Sequence, residues 1–389
     1  MKKRIVSITV LALAAAGLLT YVILYYLEST TSISSKEMSQ ADFLKDKHAL
    51  LYFSTTIDTT PGKSYAVFLN KNGNVSARKM LPLELGTTAI HDSQAVMSDK
   101  DHIYLAGENA KTITRPPQHT GYDGGAGFIK DTNSFYTIYN SGYSKDMKNY
   151  RSEVYWGIGS KLNQDVIPYF IAANGTFHDN IYTAQTPDDS SSSETRKFVF
   201  HKVVLKEDME IHPVMEVTLG KNASPLSPLL IDDQFIYFII NGPKGEHVYQ
   251  LVKINLQTKD AETIDIKRYQ KDPQTVYKAI PYSNNSTYMD SNNIYFADGL
   301  GKVMIINKST GKKQREFQLN PNLVKLGIKK IFFKNQFLYL FAMNYGGDGQ
   351  IEKYDLQNGQ VTDTIKVKGI GKIISANSHV HLYDFKMIK

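Results

Sequence analysis

The sequence predicts an all-β fold, a β-propeller of about seven four-stranded blades over residues 47–389, preceded by one transmembrane helix at residues 5–27. Three observations predict it. An apolar residue followed by Tyr recurs behind turn residues along the chain. A strand ending in Asn or Asp and a Gly-containing or polar turn recurs at intervals near 50 residues. An uncharged, mostly apolar run directly follows Lys2, Lys3 and Arg4.

That run, Ile5 to Leu27, would span roughly 34 Å as a helix at about 1.5 Å per residue, enough to cross a bilayer. The basic residues precede it and Glu28 follows, which leaves residues 1–4 as a cytoplasmic tip and directs everything from residue 28 outward. Tyr21, Tyr25 and Tyr26 sit at the outer end, where aromatic rings favour the interface. A cleaved signal peptide is the competing reading, because Ala14, Ala15 and Ala16 are small. Cutting there would leave Ile5 to Val10 as the apolar segment, shorter than the roughly 7–15 residues such peptides use. The apolar run also continues past the alanines. An uncleaved signal-anchor is the preferred expectation, in a single-pass protein of the cell membrane with its C-terminal domain extracytoplasmic.

Residues 28–46 are polar and rich in Ser and Thr, and they read as a short stalk with a helical turn starting at Ser34 or Ser35. Beyond them no long helical period occurs. The apolar–Tyr pairs are Leu51–Tyr52, Ile103–Tyr104, Phe135–Tyr136, Ile181–Tyr182, Ile236–Tyr237, Ile294–Tyr295, Leu338–Tyr339 and Leu382–Tyr383. β-branched and aromatic residues between turn signals favour strands. The second element appears at 64–74, 249–260, 302–312 and 350–360, and each leads into another alternating run. A four-stranded sheet cannot bury both faces alone. Radial packing covers both, and ring closure leaves only short edges. At about 50 residues per blade, residues 47–389 give roughly seven blades. The final run, 378–386, is expected to pair with strands near 47–81 and close the ring.

Composition narrows the function classes. The chain is 42% hydrophobic and 21% charged, ordinary for a globular domain, with 25 Tyr and 18 Phe favouring strands. It has no Cys, which removes disulfides, thiolate metal sites, a nucleophilic Cys and a lipid-bearing Cys. An outward-facing domain without Cys points to a Gram-positive bacterium. The net charge is +7, and without Lys2, Lys3 and Arg4 it is 42 basic against 38 acidic residues, too even for a nucleic-acid binder. From Pro321 to Lys389, ten Lys face five acids. These read as Lys on solvated strand edges that discourage aggregation, or as a cationic side facing an anionic wall polymer or lipid surface.

Residues 293–319 and 336–367 resemble the YVTN-repeat and quinoprotein-like families of bacterial propellers. The resemblance implies an architecture and no activity, because such families include enzymes, binding modules and scaffolds. Quinoprotein dehydrogenases carry Trp in most blades, whereas this chain has Trp156 alone. No quinone cofactor, and no other cofactor, is expected. Sialidase turns, a G-x-S-x-G elbow, calcium loops and an H-E-x-x-H helix are also missing. The tight turn GGDGQ (346–350) offers one carboxylate, too few for calcium. His379 and His381 share a strand face without a third metal ligand. Asp188 and Asp189 lie in a polar loop. No catalytic or metal residues are assigned.

Long connections follow the apolar–Tyr strands at 55–64, 107–127, 141–156, 185–197, 241–247 and 343–349, and they should gather on one face, where binding usually resides. Within them Tyr122, Tyr143, Tyr150, Arg151, Tyr155 and Trp156 are the candidate contact residues, since aromatic and Arg side chains supply large area at low entropy cost. Tyr155 and Trp156 have a competing reading as core residues of a strand beginning there. The expected function is a non-enzymatic recognition or scaffold module for another envelope protein. Alternatives are a wall-polymer or glycan binder and a propeller lyase or hydrolase with an axial site.

Overall fold

A computed structural model describes residues 32–116, 122, 124–129, 132, 134–144, 150–158, 161–186, 195–220, 223–242, 248–269, 285–374 and 379–389. The expected span at 5–27 lies outside the described residues. Among the described residues, no helix is long and apolar enough to cross a membrane.

Seven four-stranded antiparallel sheets form a propeller. Blade one joins β28 (Val380–Met387), β1 (Lys47–Thr55), β2 (Ser64–Asn70) and β3 (Val75–Met80). Blade two is β4 (Ala89–His91), β5 (Gln94–Ser98), β6 (His102–Gly107) and β7 (Lys111–Thr114). Blade three is β8 (Gly125–Ile129), β9 (Ser134–Tyr143), β10 (Tyr150–Ile158) and β11 (Lys161–Ile167). Blade four is β12 (Ile171–Phe177), β13 (Asn180–Gln185), β14 (Thr195–Leu205) and β15 (Met209–Gly220). Blade five is β16 (Leu230–Ile231), β17 (Phe235–Asn241), β18 (Val248–Asn255) and β19 (Ala261–Arg268). Blade six is β20 (Thr287–Met289), β21 (Asn293–Ala297), β22 (Lys302–Asn307) and β23 (Lys313–Gln318). Blade seven is β24 (Ile328–Lys334), β25 (Phe337–Met343), β26 (Gly349–Asp355) and β27 (Val361–Val367).

Ring closure runs as the C-terminal pattern predicts. β28 pairs with β1 from Ala49↔Met387 to Thr55↔Val380 and supplies the innermost strand of blade one. Both faces of each blade are covered by neighbours, so the core sits between blades. One apolar cluster joins Phe198 and Phe200 of blade four to Phe238 of blade five. Another joins Phe341 of blade seven to Phe385 and Phe53 of blade one.

Two local devices explain the sequence repeats. The turns from third to fourth strand begin at Asn70, Asn255, Asn307 and Asp355. The Asn255 side chain accepts from the amides of Gln257 and Thr258, and the Asn255 carbonyl accepts from the Lys259 amide. The turn demands a left-handed residue, supplied by Gly311 (φ 66°) and Gly359 (φ 74°), and in blade five by Lys259 (φ 68°). The second device lies under the apolar–Tyr pairs. Asp232 accepts from the amides of Gln234 and Phe235 and from the Tyr237 hydroxyl. Asp290 does the same for Asn292, Asn293 and Tyr295. Asp99 does so for Asp101, His102 and Tyr104. Each Asp satisfies two turn donors and gives a largely buried phenol its partner.

Two expectations differ from the structure. Residues 32–46 are no free stalk. The helical turn α1 (Ser35–Met38) forms with a Ser34–Glu37 capping box, but Ile33, Met38, Phe43 and Leu44 are buried against blades one and two. Their four apolar side chains in an otherwise polar segment are the physical reason. The apolar–Tyr strands, expected to send all their long connections to one face, do not share one position: Ile103–Tyr104 lies on the third strand of blade two and Leu382–Tyr383 on the first strand of blade one, whereas the other pairs lie on second strands.

Candidate functional site

In a ring of antiparallel blades, connections after second and fourth strands emerge at one end, and those after first and third strands at the other. The second strands β1, β13, β17 and β25 end at Thr55, Gln185, Asn241 and Met343, so these strand ends share the first end, as do the described segments 55–64 and 343–349; residues 187–194 and 243–247 lie outside the described residues. Of the segment 141–156, residues 141–143 belong to β9 and 150–156 to β10, and 145–149 lie outside the described residues. The segment 107–127 divides: β7 interrupts it, so 108–110 lies at the opposite end and the described residues 115, 116, 122 and 124 at the loop-rich end. Asp188 and Asp189 lie outside the described residues.

The loop-rich end carries the exposed apolar surface. Among the described residues, Ile57, Leu81, Leu85, Tyr143, Phe170, Tyr345 and Val361 are the exposed large apolar side chains, and all but Val361 lie at this end. Tyr143 meets Tyr150 edge-on at 5.3 Å between ring centroids, and Tyr150 meets Phe170 edge-on at 5.3 Å. Tyr122 forms a parallel bridge with Glu84. Burial raises the Tyr150 phenol, with Tyr143 and Tyr122 adding to the rise. Burial, with Glu84 and Tyr122 close by, pushes Tyr383 up to about 12. Tyr122, Tyr143 and Tyr150 therefore belong to one aromatic group, joined by Phe170 and Tyr383.

Leu85 stands beside it, half exposed, with a left-handed backbone (φ 60°). A branched residue held there at an exposed site is strained, a condition that clusters at functional sites. Nothing in the sequence singled out Phe170 or Leu85. Arg151 is partly exposed and lies 3.8 Å from the Glu153 carboxylate.

Tyr155 and Trp156 are not surface contacts. Tyr155 packs edge-on against Tyr139, and Trp156 donates its indole N–H to the Lys206 carbonyl at 2.7 Å. Both sit on β10, a third strand covered on both faces, so successive residues bury on opposite sides. The core reading holds for both.

The ring encloses an axial cavity of about 870 Å³ lined by first strands and the segments leading into them. Leu85, Phe170 and Tyr383 line it, which places the aromatic group at its mouth. Deeper in, Asp384 of β28 is saturated. It accepts from the Thr88 amide at 2.7 Å, the Thr88 hydroxyl at 2.9 Å, the Asn285 amide at 2.8 Å and the Phe385 amide at 2.9 Å. The Lys386 ammonium stands 3.4 Å away. Burial pulls the Asp384 carboxyl upward, but Lys386, Thr88 and Asn285 outweigh it and hold it below its ordinary value.

Lys330 of β24 is buried in the same wall, where burial pushes its ammonium down to about 8 against the pull of Asp384, with Lys386 adding to the lowering. The Lys-rich C-terminal segment is thus not wholly strand edge. No group of three or more metal-ligating side chains occurs among the described residues.

Residues 42–388 match the family model described as YycP, beta-propeller domain. The chain is 37% identical over 399 residues to the uncharacterized protein YycP of Bacillus subtilis (strain 168), covering 100% of both. Among solved structures, BamB from Moraxella catarrhalis aligns at 12% identity over 82% of this chain and 83% of that one, with a TM-score of 0.42. Saccharomyces cerevisiae Sqt1 aligns at 11% identity over 72% and 84%, with a TM-score of 0.44. Citrobacter koseri AztD aligns at 12% identity over 87% and 97%, with a TM-score of 0.42. On the match across its propeller and the full-length relative, the chain belongs to the YycP β-propeller family.

Proposed function

We propose that this protein is a membrane-anchored, extracytoplasmic recognition propeller of the cell envelope that binds another envelope protein through its loop-rich end. The observation that carries the reading is the segregation of exposed apolar side chains. A surface that gathers Ile57, Leu81, Leu85, Tyr143, Phe170 and Tyr345 at one end, on a rigid scaffold, has the aromatic and apolar character of a protein-binding patch. Its anchors are Tyr143 and Phe170, held through Tyr150.

The anchoring part rests on the sequence, through the uncharged Ile5–Leu27 run behind three basic residues. Ser32 bridges Ala77 in parallel on the outer strand β3, whose N-terminal end lies opposite the loop-rich end. A span ending at Leu27 would leave residues 28–31 before that point, at most about 14 Å of chain. The propeller would then stand close to the bilayer with its loop-rich end directed away from it.

The test is a pull-down from solubilised envelopes with the full chain, its Tyr143→Ala/Phe170→Ala double variant and Val361→Ala as control. A partner retained by the wild type and Val361→Ala, and lost by the double variant at unchanged melting temperature, is the expected result. Capture of wall polymer that disappears in high salt would instead support the glycan-binding alternative.

A further inference from the structure

We infer that the axial cavity binds a small neutral polyhydroxylated ligand, a mono- or disaccharide, through the Tyr136 hydroxyl, the Asn174 side-chain oxygen and the Thr287 hydroxyl. The ionised groups of the wall do not call for a charged ligand. Asp384 accepts from Thr88, Asn285 and the Phe385 amide. Lys386 reaches the Asn285 side-chain oxygen at 2.8 Å and lies 3.4 Å from Asp384. Lys330 has interactions of its own and stands in the field of Asp384. What the wall leaves uncommitted is neutral.

Tyr136 is the clearest case. It sits on β9, directly opposite Gly127 of β8, the innermost strand of blade three. A Cβ at position 127 would overlap the Tyr136 hydroxyl, so glycine there lets the phenol cross the inner strand and join the cavity lining. Tyr136 is 4% exposed, and its hydroxyl makes no hydrogen bond among the described residues. A buried hydroxyl in that condition is exceptional and marks a place where a partner belongs.

Asn174 joins it from β12, the innermost strand of blade four. Its amide nitrogen donates to the Gly124 carbonyl at 2.9 Å, and because a carbonyl only accepts, this bond fixes which way the amide faces. The amide oxygen is left without a partner among the described residues, on a half-buried side chain that lines the cavity. Thr287 of β20, 8% exposed, lines the cavity from blade six, and its buried hydroxyl has no partner. Two hydroxyls that can donate or accept and one amide oxygen that accepts match a ligand whose own groups do both, as sugar hydroxyls do. The mouth supplies a complementary apolar element. Phe170 and Tyr383 line it, and aromatic rings pack against the C–H face of a sugar ring. At about 870 Å³ the cavity admits one or two sugar units rather than a polymer. This site does not depend on an envelope partner at the loop-rich end.

The test is calorimetric titration of the full-length protein, in a detergent without a sugar headgroup, with glucose, maltose and inorganic phosphate in turn. It is repeated on Tyr136→Phe, Asn174→Ala, Thr287→Val and, as control, Tyr182→Phe. Tyr182 is another second-strand tyrosine opposite a first-strand glycine, Gly175, but it lies outside the cavity lining. Saturable binding of at least one sugar is expected, weakened about three- to tenfold in each of the three cavity variants and unchanged in Tyr182→Phe. Because the Tyr136 hydroxyl has no bond to lose, Tyr136→Phe should melt no lower than the wild type. Absence of saturable binding to both sugars, binding of phosphate alone, or equal loss in Tyr136→Phe and Tyr182→Phe would overturn the inference. So would a lowered melting temperature in Tyr136→Phe with sugar binding intact, since the hydroxyl would then serve the fold. Melting curves of each variant separate lost binding from lost folding.

Discussion

Replacing Lys330 by Met should make the protein more stable, and by an amount that depends on pH. Burial lowers the Lys330 ammonium from 10.5 to about 8. At about 1.4 kcal/mol per pH unit of lowering, keeping that group charged in the folded state costs about 3 kcal/mol. Below pH 8 the lysine is protonated both folded and unfolded, so the penalty is fully present and the Met variant is favoured by that amount. Between pH 8 and 10.5 the unfolded chain still binds the proton and the folded protein releases it, so wild-type stability rises relative to the variant. Above 10.5 the lysine is neutral in both states, and the part of the difference that comes from the charge disappears. Urea titrations at pH 7, 8, 9 and 10 read this directly. The single Trp156, buried at the boundary of blades three and four, serves as the probe. A midpoint difference that is constant from pH 7 to 10, or a Met variant less stable than wild type at pH 7, would refute the account of Lys330 as a charge retained at a cost.

Three further outcomes are expected. Deleting residues 380–389 removes β28 and with it Val380, Leu382, Phe385 and Met387 from the core, so cooperative thermal unfolding should be lost, whereas a truncation that melts like the full chain would contradict closure by this strand. Lys259→Gly should stabilise by about 0.5–1 kcal/mol in denaturant titrations, because Lys259 occupies the left-handed position that Gly311 and Gly359 fill in the next two blades. Glu316 lies within reach of Lys267, Lys302 and Lys313; burial raises its carboxyl, the three ammoniums outweigh it and bring it to about 2, and Glu316→Gln should cost about 1–2 kcal/mol at pH 7 after allowance for solvent screening, a difference present above pH 4.5 and lost as pH falls toward 2.

The propeller was legible because its repeats are local chemistry. Asn255, Asn307 and Asp355 each organise a third-to-fourth-strand turn, and a turn device is written in consecutive residues. The closing strand was legible because residues 378–386 carry a strand pattern with no partner nearby in sequence. The D-x-x-x-apolar-Tyr spacing was present at Asp99, Asp232 and Asp290, and it gives the apolar–Tyr pairs their cause.

What escaped depends on which face a residue meets. Tyr143 and Tyr155 are both tyrosines of one hairpin, yet one is exposed and the other fully buried, because β10 is covered on both sides. Ile33, Met38, Phe43 and Leu44 looked like scattered apolar residues in a polar stalk, and only the position of blades one and two shows what they pack against. Lys330 was one of ten lysines in its segment. Its burial follows from lying on an innermost strand, which no local pattern encodes. Phe170 and Leu85 became candidates only when the ring placed their two connections at the same end as Tyr143.

In-cell photo-crosslinking from position 143, with position 361 as its counterpart at the opposite end, followed by mass spectrometry, tests the central claim most directly. A discrete protein adduct from 143 and none from 361 is the expected result. An adduct from 361 alone, or a diffuse smear from 143 that collapses on wall digestion, would contradict recognition of an envelope protein through the loop-rich end.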